Sequence, residues 1–256
     1  MTLFFRFYTA FVAALLGAVM GSFLNCAAIR LIHHEPLSRG RSHCVHCGHT
    51  LGVRDLIPLA SFLLLRGRCR YCGQRLSPRY LFAELISALV FLSLWLKFGL
   101  TLRCLELLIL ASLCLCLSFC DLEDYIIPDR FILAGILVRA VFILLSGDLP
   151  HTALRSLIGG LSVALPVLIL VLIMEKILKK EAMGGGDLKL LFMLGLYFPW
   201  SLNFLGILLA CVIGILFGLA ALRRDRMIPF GPSICLGSWI SCLFGQPLIE
   251  FYLSLF

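Results

Sequence analysis

The chain has 256 residues, of which 61% are hydrophobic and only 14% are charged, and its mean hydropathy is +1.03. A soluble domain carries roughly 25% charged residues, so this composition excludes an ordinary soluble protein and predicts a polytopic membrane protein. We therefore expect an all-α fold in which about 20 apolar residues form each transmembrane helix.

Apolar runs predict about eight transmembrane spans, of which the sixth is short and begins directly after three glycines. The first run has no small-x-small exit, so we expect that it is not a cleaved signal peptide. The predicted domains are a first transmembrane helix over 1–29, a cytoplasmic loop domain over 30–79 and a transmembrane core over 80–256. The predicted spans cover roughly 3–29, 80–96, 103–121, 129–147, 153–178, 187–200, 202–222 and 230–248.

Most of the 22 Lys and Arg residues fall in connections on one side of the predicted membrane. This asymmetry predicts that the basic side is cytoplasmic and that both termini lie outside. The net charge of +8 then reflects topology and contact with anionic lipid headgroups, and no sequence motif indicates a nucleic-acid partner. The basic residues are Arg30, Arg39, Arg41, Arg54, Arg66, Arg68, Arg70, Arg75, Arg79, Arg130, Lys176, Lys179, Lys180, Arg223, Arg224 and Arg226.

Four of the twelve cysteines lie in the basic loop as two C-x2-C pairs, Cys44 with Cys47 and Cys69 with Cys72. Each pair is followed by glycine, and four thiolates with this spacing predict a closed, structural zinc site. A small loop of this kind has little core, so metal binding would supply much of its folding free energy. The alternatives are free thiols or a redox pair, and the nearby histidines could replace one ligand. These histidines are His43, His46 and His49.

A carboxylate follows the glycine run at Asp187, where the sixth span begins. Ionisable groups at membrane depth are costly and are by default suspected of a function. The glycines would permit unusual backbone conformations and close approach of a substrate chain. The alternative is that Asp187 is only a helix N-cap and that the glycines are a flexible joint. In either case a helix start favours an ionised carboxylate.

A second acidic segment, 121–129, closes the third span. Asp121 is nearest to the apolar run, so we expect it to be partly desolvated and to face a partner. Glu123 and Asp124 would face water, and Asp129 would complement the dipole of the next helix. Two carboxyl groups that share one site hold one proton between them, which allows one to activate water while the other protonates a carbonyl.

Five motifs together resemble the prepilin peptidases, the leader peptidases of type IV pilus and type II secretion systems. They are Gly21-Ser22-Phe23-Leu24-Asn25 with Arg30, the two cysteine pairs, the segment from Asp121 to Pro128-Asp129, Gly184-Gly185-Gly186-Asp187-Leu188-Lys189-Leu190, and Ile228-Pro229-Phe230-Gly231-Pro232.

This resemblance implies a membrane aspartic endopeptidase whose two catalytic residues are Asp121 and Asp187. It also implies removal of a short basic leader from a prepilin or pseudopilin at the cytoplasmic face of the bacterial inner membrane. Many members then methylate the new amino terminus with S-adenosylmethionine, and the zinc loop accompanies this bifunctional form. No sequence motif locates the methyl-donor site, although Glu84, near the loop, is a candidate helper residue. The acids Glu123, Asp124, Asp129 and Glu181 could attract the basic leader.

Two other classes of protein remain as alternatives. A transporter or channel could use Asp121 and Asp187 as proton or cation ligands on a broken helix. However, the acids cluster near one face, and the two halves show no inverted repeat. A membrane scaffold whose zinc loop binds a partner would explain the cysteines, but it would leave the glycine–aspartate motif without a role.

Overall fold

The computed structural model describes residues 3–33, 35–36, 42–180, 183–221 and 229–254. Arg39, Arg41, Glu181, Arg223, Arg224, Arg226 and Ile228, on which some of the predictions above rest, lie outside these ranges. Within them the fold is helical, apart from one 3₁₀ turn, Val53–Asp55, and isolated bridges in the cysteine loop. The helices are α1 (Leu3–Ile32), α2 (Ala60–Leu64), α3 (Arg79–Phe98), α4 (Leu102–Asp124), α5 (Asp129–Leu144), α6 (Leu149–Leu178), α7 (Gly185–Gly195), α8 (Trp200–Ala221) and α9 (Gly231–Leu253).

Six helices among the described residues are long and apolar enough to cross a membrane, namely α1, α3, α4, α6, α8 and α9. The prediction of an all-α polytopic membrane protein is therefore confirmed, and the predicted number of spans is approximate. The other two predicted spans correspond to α5, with 16 residues, and α7, with 11 residues. At about 1.5 Å per residue, α7 is only about 16 Å long, roughly half of a hydrocarbon core.

The chain forms two compact units, Met1–Phe119 and Cys120–Phe256. In the first unit α1 packs closely on α3 through glycines. A Cβ atom on Gly17 would lie 2.6 Å from the carbonyl oxygen of Ser87, and one on Gly21 would lie 2.6 Å from that of Ala83. The two backbones therefore touch, as is common where small residues line a membrane helix interface.

In the second unit, buried polar side chains hold α7 among longer helices. Asn203, at the start of α8, donates from Nδ2 to the carbonyl oxygens of Gly159, Gly195 and Phe198 at 3.0–3.1 Å. Tyr197 donates its hydroxyl to the carbonyl oxygen of Gly135 in α5 at 2.6 Å. Because these carbonyl groups lie in an apolar interior, each bond offsets the cost of burying a polar group. A helix too short to span a membrane thus has a defined position.

Candidate active site and cysteine cluster

Asp121 lies in the last turn of α4 and is only 5% exposed. Its Oδ2 atom accepts a hydrogen bond of 2.8 Å from the backbone N–H of Gly231, the first residue of α9. A helix N-terminus carries partial positive charge and unpaired N–H groups, so it stabilises a carboxylate placed there. The predicted desolvation of Asp121 is confirmed, and its partner is a backbone amide 110 residues away.

Asp187 is half-buried in the first turn of α7 and is the third residue of that helix. The interpretation as an N-cap is wrong, because Gly184 is the N-cap residue and no side chain caps this end. Gly185 and Gly186 already have helical conformation, so the helix begins two residues earlier than predicted. The Asp187 carboxyl is thereby released from a capping role.

The two carboxyl groups influence each other. Burial, and then the negative charge of Asp121, raise the pKa of the Asp187 carboxyl from 3.8 to about 6. This direction is opposite to the one expected from the helix dipole, because the loss of hydration and a like charge outweigh a favourable helix end. Asp121 and Asp187 therefore titrate as a pair, because the charge on one carboxyl group changes the proton affinity of the other.

Close packing fixes the first turn of α7 against the segment that follows α4. A Cβ atom on Gly186 would lie 2.9 Å from the Cβ atom of Ile127, so only glycine fits there without a shift. Lys189 donates to both carboxylate oxygens of Asp129, at 2.7 and 2.9 Å, and so joins α7 to the start of α5. These contacts tie the helix that carries Asp187 to the segment that begins at Asp121.

The other acidic residues of this region are exposed, where the structure describes them. Glu123 and Asp124 are exposed, as predicted. Asp129 is also exposed, occupies the first turn of α5 and is paired with Lys189. Glu181 lies outside the described residues.

The sulfur atoms of Cys44, Cys47, Cys69 and Cys72 lie within 4.8 Å of one another. A tetrahedral zinc site with Zn–S bonds of about 2.3 Å places its sulfur atoms about 3.8 Å apart, which is close to the 4.0 Å between Cys44 and Cys72. The donor set and spacing therefore fit a metal ion. None of the three neighbouring histidines belongs to this cluster, and His49 instead stacks on Tyr71 with ring centroids 3.6 Å apart.

Charge distribution in the cluster is also suited to a cation. Backbone N–H groups of Cys47 and His46 lower the pKa of the Cys44 thiol to about 6. The N–H of Gln74 acts in the same direction on Cys72, but burial and the neighbouring thiols raise the pKa of Cys72 to about 11. Four thiols at this distance cannot all ionise unless a positive ion compensates their charge.

Asp55 holds the second cysteine pair in place. Its carboxylate accepts hydrogen bonds from Arg70 Nε at 2.7 Å, from the Tyr71 hydroxyl at 3.0 Å and from the N–H of Gly52 at 3.1 Å. Glu84, predicted as a helper residue, is buried in α3, and its Oε2 atom accepts the N–H of Leu59 at 2.7 Å. Glu84 thus attaches the cysteine loop to α3.

No role for Gly231 follows from the sequence alone, although this glycine lies within one of the five family motifs. The available signal was the position of Gly231 between Phe230 and Pro232, at the start of the last apolar run. The contacts of Gly186 and Lys189 were also missed, because both depend on which turn faces Ile127 and Asp129. No local pattern contains that information.

Fold and site together define a polytopic helical membrane protein with a paired carboxyl site in one unit and a four-cysteine cluster in the other. Residues 15–98 match the bacterial peptidase A24 N-terminal domain, and residues 108–219 match the type IV leader peptidase family. The chain belongs to the type IV leader peptidase family. The predicted resemblance is therefore confirmed, the chain is an enzyme, and the transporter alternative finds no support.

Several relatives carry the name prepilin leader peptidase/N-methyltransferase. The one from Bacillus subtilis is 30% identical over 244 residues, which are 93% of this chain and 96% of the relative. The one from Pseudomonas putida is 32% identical over 270 residues, covering 94% and 92%. The one from Myxococcus xanthus is 37% identical over 214 residues, covering 81% and 63%. No solved structure matches the chain significantly.

Proposed function

We propose that this chain is a membrane aspartic endopeptidase that removes the short basic leader of prepilins or pseudopilins, with Asp121 and Asp187 as its catalytic residues. Family membership supports the leader-peptidase activity. The observation that carries the mechanism is the inequality of the two carboxyl groups. Asp121 accepts the N–H at the start of α9, whereas the raised pKa of Asp187 favours its protonated form.

This inequality assigns a role to each carboxyl group. Asp121 is the ionised member and removes a proton from the attacking water, and Asp187 donates its proton to the carbonyl oxygen of the scissile peptide bond. The C–N bond of the resulting tetrahedral species then breaks, and the leaving nitrogen takes the proton that Asp121 received. The sequence alone favoured an ionised Asp187, because a helix start stabilises a carboxylate.

The positive-inside distribution of Lys and Arg supports an orientation with the cysteine loop and the active site towards the cytoplasm of a bacterial inner membrane. A basic leader would have to approach this basic face. The exposed acids Glu123 and Asp124, next to Asp121, are suited to attract it. Charge reversal at both acids should slow removal of basic leaders; unchanged processing would refute this role.

The second proposed activity is methylation of the new amino terminus, as the names of the relatives suggest. S-adenosylmethionine would supply the methyl group. Zinc would be held by Cys44, Cys47, Cys69 and Cys72 in a structural role, because four sulfur ligands leave no open position for substrate. We also propose the domain organisation that the sequence predicts, with a first transmembrane helix over 1–29, a cytoplasmic loop domain over 30–79 and a transmembrane core over 80–256.

Co-expression with a candidate prepilin tests the peptidase mechanism. Asp121→Asn and Asp187→Asn should each abolish leader removal while the protein stays in the membrane at the wild-type level. Asp148→Asn, which removes another exposed carboxylate, is the matched control and should retain activity. Residual cleavage by Asp121→Asn together with loss in Asp124→Asn would overturn the assignment of Asp121.

A further inference from the structure

The interface between α1 and α3 contains a polar side chain that has no partner. Asn25 is 0% exposed, and neither its Oδ1 nor its Nδ2 atom forms a hydrogen bond within the described part of the chain. Burying an amide without hydrogen bonds is unfavourable, because the group loses its bonds to water and gains none in return. Leucine would fill the same space without this cost, so the asparagine needs another explanation.

A second unpartnered group lies across the same interface. Ser87 of α3 is also 0% exposed, and its Oγ atom has no hydrogen-bond partner among the described residues. A Cβ atom on Gly21 would lie 2.6 Å from this Oγ. Asn25 follows Gly21 by one turn on the same face of α1, so both unpartnered side chains belong to one interface.

A buried carboxylate lies one turn before Ser87. Glu84 is 8% exposed, and its Oε2 atom accepts a hydrogen bond from the N–H of Leu59, whose backbone has a strained φ of 60°. Since Gly17 contacts Ser87 while Gly21 also contacts Ala83, α1 and α3 run antiparallel. This register brings Asn25 level with the first turns of α3, which carry Glu84.

These three side chains offer an amide oxygen, a hydroxyl oxygen and a carboxylate, and all three are buried. A primary ammonium group has three N–H donors and one positive charge, and it would satisfy all three acceptors. Leader removal creates such a group at the new amino terminus.

We propose that Asn25, Glu84 and Ser87 bind the free α-amino group of the processed chain and hold it for N-methylation. This inference rests on the second proposed activity and places its acceptor site in the first unit. The ammonium gives one proton to Glu84, and its nitrogen lone pair forms the new N–C bond. The S–C bond of the methyl donor breaks at the same time, and its electron pair remains on sulfur.

Binding by the detergent-solubilised full-length protein tests the site without any methyl donor. The probe is a synthetic peptide with the sequence of a mature pilin amino terminus, in free and N-acetylated forms. Wild type should bind the free peptide about tenfold or more tightly than the acetylated one, because hydrogen bonds to charged groups are the strong ones. Asn25→Leu should abolish this preference and should melt at the same temperature as wild type or higher. A preserved preference, or no preference in wild type, would overturn the proposal.

Mass spectrometry of the pilin product separates this proposal from the peptidase proposal. Asn25→Leu and Ser87→Ala should still remove the leader but leave the new amino terminus unmethylated. Ser93→Ala is the matched control on α3, because the Ser93 hydroxyl donates to the carbonyl oxygen of Val90 in its own helix and should be dispensable. Full methylation by Ser87→Ala refutes this inference alone, whereas absence of leader removal by wild type refutes the proposed function.

Discussion

Replacing Asp187 by Asn should stabilise the protein at neutral pH while it destroys the peptidase. The carboxyl has a pKa of 3.8 in its ordinary state and about 6 in the folded protein. A folded-state pKa that is raised means that the folded protein holds the proton more tightly than the unfolded chain does. Ionisation of Asp187 therefore opposes folding, and the opposition grows as the pH rises from about 4 to about 6.

The size of this effect follows from the shift. About two pH units at 1.36 kcal/mol each set an upper limit of ~3 kcal/mol of unfolding free energy. Because Asp187 is only half-buried, solvent screening reduces the expected effect to about 1–2 kcal/mol, present above pH 6 and absent below pH 4. Asparagine cannot ionise and has nearly the same shape, so Asp187→Asn should remove the whole effect. In an Asp121→Asn background the gain should be smaller, because part of the shift comes from the Asp121 charge.

Thermal unfolding in detergent across this pH range provides the assay. The melting temperature of Asp187→Asn should exceed that of wild type by several degrees at pH 7, and the two should converge near pH 4. Asp124→Asn, where the side chain is exposed, should follow wild type throughout. If the difference between Asp187→Asn and wild type is absent, or does not change with pH, the Asp187 carboxyl is not desolvated in the folded protein.

Further predictions concern the packing, the metal and the pH profile. Gly186→Ala should reduce leader removal about tenfold or more, because the added methyl group displaces the turn that carries Asp187. Gly185→Ala is the control, since its added methyl group has no atom within 4 Å. Equal losses in the two variants would contradict this prediction. Cys47→Ser or zinc chelation should make the cysteine loop sensitive to limited proteolysis, with Cys211→Ser in α8 as the control for loss of a thiol; a loop that stays resistant without metal would refute the structural role. Leader removal should decline as the pH rises through about 6, because Asp187 then loses the proton that it must donate, and a rate that is constant from about pH 5 to about pH 8 would count against this assignment.

Local patterns in the sequence were sufficient for the helical architecture and the cysteine cluster. Hydropathy decides whether a segment of about 20 residues prefers lipid, and this property needs no knowledge of neighbours. The spacing of Cys44, Cys47, Cys69 and Cys72 likewise reports a short-range chelating geometry. The number of spans was harder to predict, because α7 is apolar but too short, and its position depends on Asn203 and other distant partners.

The sequence by itself determined that Asp121 and Asp187 are energetically unfavourable charges near the ends of apolar runs. It also determined the family to which the chain belongs. Only the tertiary structure decided how the two carboxyl groups differ. Asp121 accepts an N–H from Gly231, 110 residues away, while Asp187 is left beside a like charge. The tertiary structure likewise decided that Asn25 has no partner. Hydrogen bonding and desolvation depend on which groups meet in space, and such contacts leave no trace in the local order of residues.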